Sequence, residues 1–262
     1  MQSSTIGSLL RSTQAYCSQL CEKQTLDTGI AFYSERFGDL PEVNQFREVV
    51  LNDGGSVSQA FQQAKAWFDA RNLTCHRWAP ALDTPVEPLR DFRAERGFRA
   101  RPLTAMTLTE WVPTEPEPNV RVLPARAMRP IYVQSFLDFG TGHDQGPPGV
   151  LASAQNDRLD DSQLDMFVAV SQKRALGRGG LYQVGDFGRV IDLCVEQSPQ
   201  QDAVARTLLA HVLALAKRLT LRSVLVQIDR DDVTRRRWFE QAGFVIDGEF
   251  VEFELHNPQR PS

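Results

Sequence analysis

The sequence predicts an α+β protein made of two αβα halves, each around a mixed, mainly antiparallel central sheet. Three observations predict it. The order strand, helix, strand, helix, strand occurs twice. The two occurrences are offset by 146 residues, the separation of Gly97-Phe98 from Gly243-Phe244, and the same ungapped shift pairs Leu73-Thr74 with Leu219-Thr220, Ala64 with Ala210, Asp83 with Asp229 and Arg90 with Arg236. Between them lies VPTEPEPN, whose prolines at 113, 116 and 118 lack the N–H that a helix or sheet interior needs. The expected organisation is a first domain over 1–112, a Pro-rich linker over 113–119 and a second domain over 120–262.

Each element has a local cause. Ile6, Leu9, Leu10, Thr13, Cys17, Leu20 and Cys21 recur at helical spacing behind Ser3 and Ser4, predicting an amphipathic helix over 5–21. REVVLN (47–52) reads as a strand, Asp53-Gly54-Gly55 as a turn, 56–72 as a helix and 74–80 as a strand. EPLRDFRAERGF predicts a short helix stopped by Gly97, and LTAMTLTEW a strand ahead of Pro113. Past the linker, 125–139 looks helical. GTGHDQGPPG then reads as an exposed loop, and the chain from Phe139 to Asp165 as a flexible, acid-rich segment. MFVAVSQ, ALGRGGLYQVG and GRVIDLCVE are three strands tied by glycine-containing turns, followed by a helix from Gln201, strand SVLVQI, helix DDVTRRRWFEQAG and strand EFVEFEL.

Composition narrows the function. With 42% apolar residues among 262, the chain can bury a substantial core. A net charge of −4 provides no basic field, so neither nucleic acid nor an anionic membrane is an expected partner. No run of 18 apolar residues and no basic-then-apolar leader is present, so a cytoplasmic location is expected, as a monomer or homodimer. Cys17, Cys21, Cys75 and Cys194 form no CxxC pair and read as reduced core residues, with no metal expected.

The chemistry is expected where a strand ends at Val195 and a helix starts at Gln201. Unpaired N–H groups and the positive end of a helix dipole there point at one place, which suits an anion. The turn QQDAVA resembles the pyrophosphate loop of the GNAT superfamily of acetyl-CoA-dependent N-acetyltransferases, Gln/Arg-x-x-Gly-x-Gly/Ala, with Gln200, Ala203 and Ala205 at the matching places. SVLVQIDRDDVTRRRWFEQAGFV resembles the family's next strand and helix, and the preceding three strands resemble those leading to the cofactor strand. GIAFYSERFGDLPEVNQF and RDFRAERGF resemble a worn amino-terminal copy, as in tandem members.

The resemblance implies acetyl-CoA as co-substrate and an amine acceptor. It implies a cofactor site of Cys194, Val195, Gln200, Gln201, Asp202, Ala203, Val204, Ala205 and Arg206, with an oxyanion donor near Val195 and Glu196. Alanine in place of glycine adds a methyl, and Asp202 brings a carboxylate close to a pyrophosphate unless it points to solvent or caps the helix, with Arg206 to compensate. Glu196 and Asp192 alternate onto one face of the strand as general bases, or are simply paired carboxylates. The family's tyrosine is Phe239 here, and Tyr182 is the candidate substitute acid. His143 and Asp144 fall where acceptor loops lie. Asp144, Asp157, Asp160, Asp161 and Asp165 favour a cationic acceptor or form a solvated surface. A non-catalytic CoA-binding or interaction module remains the alternative.

Overall fold

The structure, a computed structural model, describes residues 4–51, 56–94, 96–113, 115–140 and 146–255. His143, Asp144 and the Asp53-Gly54-Gly55 turn lie outside them. The first half comprises α1 (Ser4–Cys17), β1 (Glu22–Leu26), β2 (Gly29–Tyr33), β3 (Gln45–Val49), α2 (Val57–Asp69), β4 (Arg77–Pro80), α3 (Glu87–Ala94) and β5 (Phe98–Leu108). The second comprises β6 (Arg121–Pro124), a 3-10 turn (Ala125–Met128), α4 (Arg129–Phe139), α5 (Pro148–Arg158), β7 (Leu164–Ser171), β8 (Arg174–Val184), β9 (Phe187–Val195), α6 (Gln201–Arg218), β10 (Ser223–Asp229), α7 (Val233–Gln241) and β11 (Phe244–Leu255).

Several elements depart from expectation, strands β2 and β6 among them, which the sequence reading did not include. Helix α1 ends at Cys17, because Leu20 N–H turns back to the Cys17 carbonyl at 3.1 Å and the Cys21 thiol donates to the Val43 carbonyl at 3.2 Å. Strand β1 was not foreseen: EKQTL is solvated along nearly its whole length and carries no apolar alternation. The segment after Phe139 is not wholly flexible, since α5 occupies Pro148–Arg158. Pro148 sits in its first turn, where a missing N–H costs nothing, and Leu151, Ala152, Ala154, Gln155 and Arg158 are buried.

All eleven strands form one sheet in the order β1-β2-β3-β4-β11-β5-β10-β9-β8-β7-β6. The two expected central sheets are thus joined edge to edge. Apart from β6, the order is symmetric about the β11/β5 pair. β3/β4 and β9/β10 are the parallel pairs, and the remaining pairs are antiparallel. Each half exchanges its last strand: β5 pairs with β10, and β11 with β4. The 146-residue shift recurs in element starts, since Arg77, Glu87 and Phe98 open β4, α3 and β5 while Ser223, Val233 and Phe244 open β10, α7 and β11.

The joint is ionic as well as hydrogen-bonded. Glu252 on β11 is buried and meets Arg47 of β3 at 2.7 Å, and Glu254 meets Arg77 of β4 at 2.9 Å. Burial alone would raise the Glu252 pKa, but Arg47, Arg77 and Arg101 hold it down at about 2.

Side chains alternating along β10 define the two faces of the second half. Val224, Val226 and Ile228 pack under α6 and α7 with Trp238 and Phe239. Leu225 packs oppositely, against Ile6 and Leu9 of α1. Helices α4 and α5 cover a third cluster with Leu164, Val168 and Tyr182, and α2 a fourth in the first half.

Candidate active site

Strands β9 and β10 are paired at only three places, Phe187/Ser223, Gly188/Val224 and Arg189/Leu225. Beyond Arg189 they diverge. The cause lies in β9: Asp192 adopts φ +48°, and the register against β8 shifts between Arg178 and Gly180. That bulge is pinned by a buried cation. Arg178 meets the Asp192 carboxylate at 2.7 Å, and also donates to the Ser135 carbonyl at 3.3 Å and to the Gly140 carbonyl.

Helix α6 begins after the end of β9, as the sequence predicts. Gln200 is its N-cap and makes no side-chain capping bond. The Gln201 N–H goes to the Ser198 carbonyl at 3.1 Å and the Val204 N–H to the Gln200 carbonyl at 3.0 Å. The N–H groups of Asp202 and Ala203 have no acceptor among the described residues, leaving two donors at the positive end of the dipole. The Asp202 carboxylate neither caps the helix nor points simply to solvent. It accepts from Trp238 Nε1 at 2.7 Å and pairs with Arg237 at 2.6 Å, tying α6 to α7. The Trp238 hydrogen bond, followed by Arg237, holds its pKa below the usual carboxylate value. Val204 and Ala205 are buried core side chains, so only their backbone faces the turn; Arg206 is exposed.

A cavity of about 180 Å³ fills the split. Val190–Leu193 line one side, Val226–Asp229 the other, with Phe239 beside them. It continues to Tyr16 on α1, Gln155 on α5, and Arg77 and Arg101 on first-half strands. Both halves therefore wall one cleft.

The predicted residues divide accordingly. Asp192 lines the cavity. Glu196 does not: its carboxylate pairs with Arg174, and its N–H donates to the Leu176 carbonyl at 2.9 Å. Because amides alternate along an antiparallel ladder, the neighbouring Val195 N–H faces the other edge of β9, toward β10. Tyr182 is buried away from the cavity lining, edge-on to Tyr16 at 5.4 Å, with its hydroxyl donating to Gln163 at 3.3 Å. Burial raises its pKa. Cys194 is buried, its sulfur 3.6 Å from the Gly140 carbonyl. Phe239 packs edge-on against Phe244 at 5.2 Å.

The described part of the acid-rich segment provides no acidic lining. Asp157 meets Arg36 at 2.7 Å, Asp165 meets Arg126 at 3.7 Å, Asp160 pairs with Arg129 and Asp161 accepts from Gln19. None of these carboxylates lines the cleft. Among the described residues no group of three His, Cys, Asp or Glu side chains is placed to hold a metal, and no helix is long and apolar enough to cross a membrane.

Residues 127–244, which contain α4 through α7 and both walls of the split, match the model of the acetyltransferase (GNAT) family. No curated protein matches the chain in sequence. The chain is similar in structure to a conserved protein of unknown function from Staphylococcus epidermidis, with TM-score 0.67, 14% identity and coverage of 90% of this chain and 95% of that one. It is similar to a GCN5-related N-acetyltransferase from Kribbella flavida, with TM-score 0.65, 11% identity and 95% of each chain covered. A GNAT-family structure from Novosphingobium aromaticivorans aligns over 60% of this chain and 66% of its own, at 15% identity and TM-score 0.46. The first two likenesses show a fold shared over nearly the whole chain. The match over 127–244 supports acyl-CoA-dependent N-acetyl transfer in general, with acetyl-CoA as the co-substrate that the family uses.

Sequence reasoning passed over Tyr16, Arg77, Arg189 and Gln227, which line the cleft, and Arg237, which pairs with Asp202 at the start of α6. The run Arg235-Arg236-Arg237 was a visible signal, read only as part of a helix. The others had none, because their places in the cleft depend on elements distant in sequence.

Proposed function

We propose that this protein is an acyl-CoA-dependent N-acetyltransferase that moves an acetyl group from acetyl-CoA to the amine of a small molecule or peptide, by direct attack in a ternary complex. In this reading residues 120–262 are the working copy and 1–112 a degenerate GNAT-like copy, joined by the 113–119 linker. One observation carries it: the split between β9 and β10 ends beneath a helix start that has two unclaimed N–H groups.

The residues present fit the co-substrate. The Asp202 and Ala203 N–H groups would meet its phosphates, with Arg206 and Arg237 adding positive charge, and the arm would lie in the split between Val190–Leu193 and Val226–Ile228. When bound, it supplies an activated acetyl group as a thioester. The Val195 N–H faces the split and would hold the thioester carbonyl oxygen, which becomes negative as the amine attacks. The acceptor nitrogen would add to the thioester carbon, its proton would pass to Asp192, directly or through a water, and the carbon–sulfur bond would then break to release the thiolate. Asp192 is the better placed of the two carboxylates, since it lines the cavity and Arg178 fixes its position. An alkyl thiol has a pKa of about 8.5, so its thiolate departs near neutrality without Tyr182 or a tyrosine at 239.

A second reading, a non-catalytic CoA-binding or protein-interaction module, is favoured by Phe239 at the family's tyrosine position. Isothermal titration with acetyl-CoA tests binding, and thiol release over an amine panel then separates the two. Lack of acetyl-CoA binding would overturn both CoA-dependent readings; binding without release on any amine would favour the module.

A further inference from the structure

The charges lining the cleft are paired, with one exception. Asp192 is held by Arg178, Asp229 by Arg101 at 2.6 Å, and Glu42 by Arg158 at 2.8 Å. Arg77 and Arg235 have Glu254 and Asp232. Arg189 has no carboxylate within ion-pair distance among the described residues. Its one hydrogen bond runs from Nη1 to the Thr13 hydroxyl at 2.7 Å, and its Nε is buried without a partner. Desolvation pulls its pKa down to about 10, and the Glu252 carboxylate, beyond ion-pair distance, only partly opposes that. A second orphan lines the same cavity: Gln227 Oε1 is buried and receives no hydrogen bond.

The two orphans share one face. Arg189 stands opposite Leu225 in the β9/β10 ladder, and Gln227 follows Leu225 by two residues. Leu225 packs on α1, and Arg189 reaches Thr13 of that helix. Helix α6, with the phosphate turn, packs on the opposite face against Val224 and Val226. The sheet therefore stands between Arg189 and the phosphate turn, and the guanidinium is left for an anion that enters from the α1 side. The cavity's about 180 Å³ is equivalent to roughly six waters at ~30 Å³ each, room for a small molecule or the end of a larger one.

Resting on the acetyltransferase reading, we infer that the acceptor is an amine that also carries a carboxylate, an amino-acid-like molecule whose carboxylate pairs with Arg189 and whose amine lies toward Gln227 and Asp192. The carboxylate supplies Arg189 with the charge-assisted partner the fold does not. The Gln227 oxygen accepts from the amine and orients it toward the split. Tyr16 and Gln155 bring α1 and α5 to the same chamber, so the acceptor site is shared between the halves.

The test uses the full chain. Acetyl-CoA affinity is first measured by calorimetry for the parent and for Arg189→Gln, and the two should agree, because Arg189 lies across the sheet from the phosphate turn. Thiol release is then followed with the twenty amino acids and with their carboxamides. The acids should exceed the amides at least roughly tenfold in kcat/KM, Arg189→Gln should remove that preference by raising KM for acids alone, and Arg189→Lys should keep part of it. Thermal shifts with the same acids and amides, without acetyl-CoA, read the carboxylate site apart from transfer: stabilisation by acids only, lost in Arg189→Gln, supports it. Acids and amides that act alike, an acid preference that survives Arg189→Gln, or no acid that either stabilises or reacts would each overturn the inference. A failure of acetyl-CoA to bind, with the acid-specific thermal shift intact, overturns the acetyltransferase reading and leaves the carboxylate site standing. Should Arg189→Gln fail to fold, the comparison of acids with amides on the parent protein decides.

Discussion

Two parallel strand pairs, β3/β4 and β9/β10, occupy matching places either side of the β11/β5 joint, and only the second opens. Strands β3 and β9 each carry a non-glycine residue at positive φ, Glu48 at +51° and Asp192 at +48°. A bulge by itself therefore does not make a cleft. In the first half, pairing runs from Gln45/Arg77 to Val49/Pro80, the last residue of both strands. The Val49 carbonyl then accepts from Ala81 N–H at 3.0 Å and from the Thr84 hydroxyl at 2.7 Å, drawing the chain after β4 across the end of β3. In the second half the pairing stops three residues in, and Arg178 pulls the bulged Asp192 toward α4 instead. The difference teaches that an open split needs both a bulge held from the outside and a strand end left unbridged.

The largest effect should come from breaking the joint that holds the closed half against the open one. Glu252→Ala leaves Arg47 buried without its carboxylate and should cost about 3–5 kcal/mol in urea unfolding. A loss under about 0.5 kcal/mol would mean that the backbone ladder alone carries the joint. The same carboxylate sets an acid limit. Its folded pKa of about 2 lies below the ordinary ~4.3, so its contribution is complete above ~4.3 and is lost as pH falls through about 2. Glu252→Gln should flatten the pH dependence of stability in that window, and an unchanged profile would contradict the assignment.

Next in size is the proposed phosphate site at the start of α6. Ala203→Glu places a carboxylate where the unclaimed N–H groups point and should weaken acetyl-CoA by on the order of a hundredfold in calorimetry, about 2.7 kcal/mol, whereas Ala203→Gly should bind as well or better. Unchanged affinity in Ala203→Glu would remove the turn from the site. Native mass spectrometry should find one CoA per chain, and two would mean that the first half also binds.

The closure of the first half can be loosened with Thr84→Val, which removes one of the two donors to the Val49 carbonyl. About 1 kcal/mol of stability should be lost, with faster hydrogen exchange at the Ala81 amide and no second CoA site. Exchange at Ala81 as slow as in the parent would show that Thr84 does not hold the closure.

The smallest change concerns Asp202. Its pair with Arg237 is half exposed, so Asp202→Asn should alter stability by under about 1 kcal/mol. It should tighten acetyl-CoA only a few-fold, and salt should shrink the gain. A variant that binds more weakly would show that the carboxylate's hold on α7 outweighs its repulsion of phosphate.

Much of this molecule was legible in the sequence. The strand ending at Val195, the helix from Gln201, the shift of 146 residues and the mixed, mainly antiparallel architecture all follow from local periodicity, turn residues and caps, which a few neighbouring residues decide. Strand β1 and helix α5 escaped because their local signals mislead: EKQTL is a polar edge strand, and the Pro147-Pro148-Gly149 run that reads as a breaker instead opens a helix. The exchange of β5 and β11, the bulge pinned by Arg178, and the meeting of Tyr16, Gln155, Arg189 and Gln227 in one cavity were settled only by the tertiary structure. Such contacts join residues far apart in the chain, and which strand edge takes a given partner, or which cation is left without one, depends on the packing of the whole sheet and not on any local spacing.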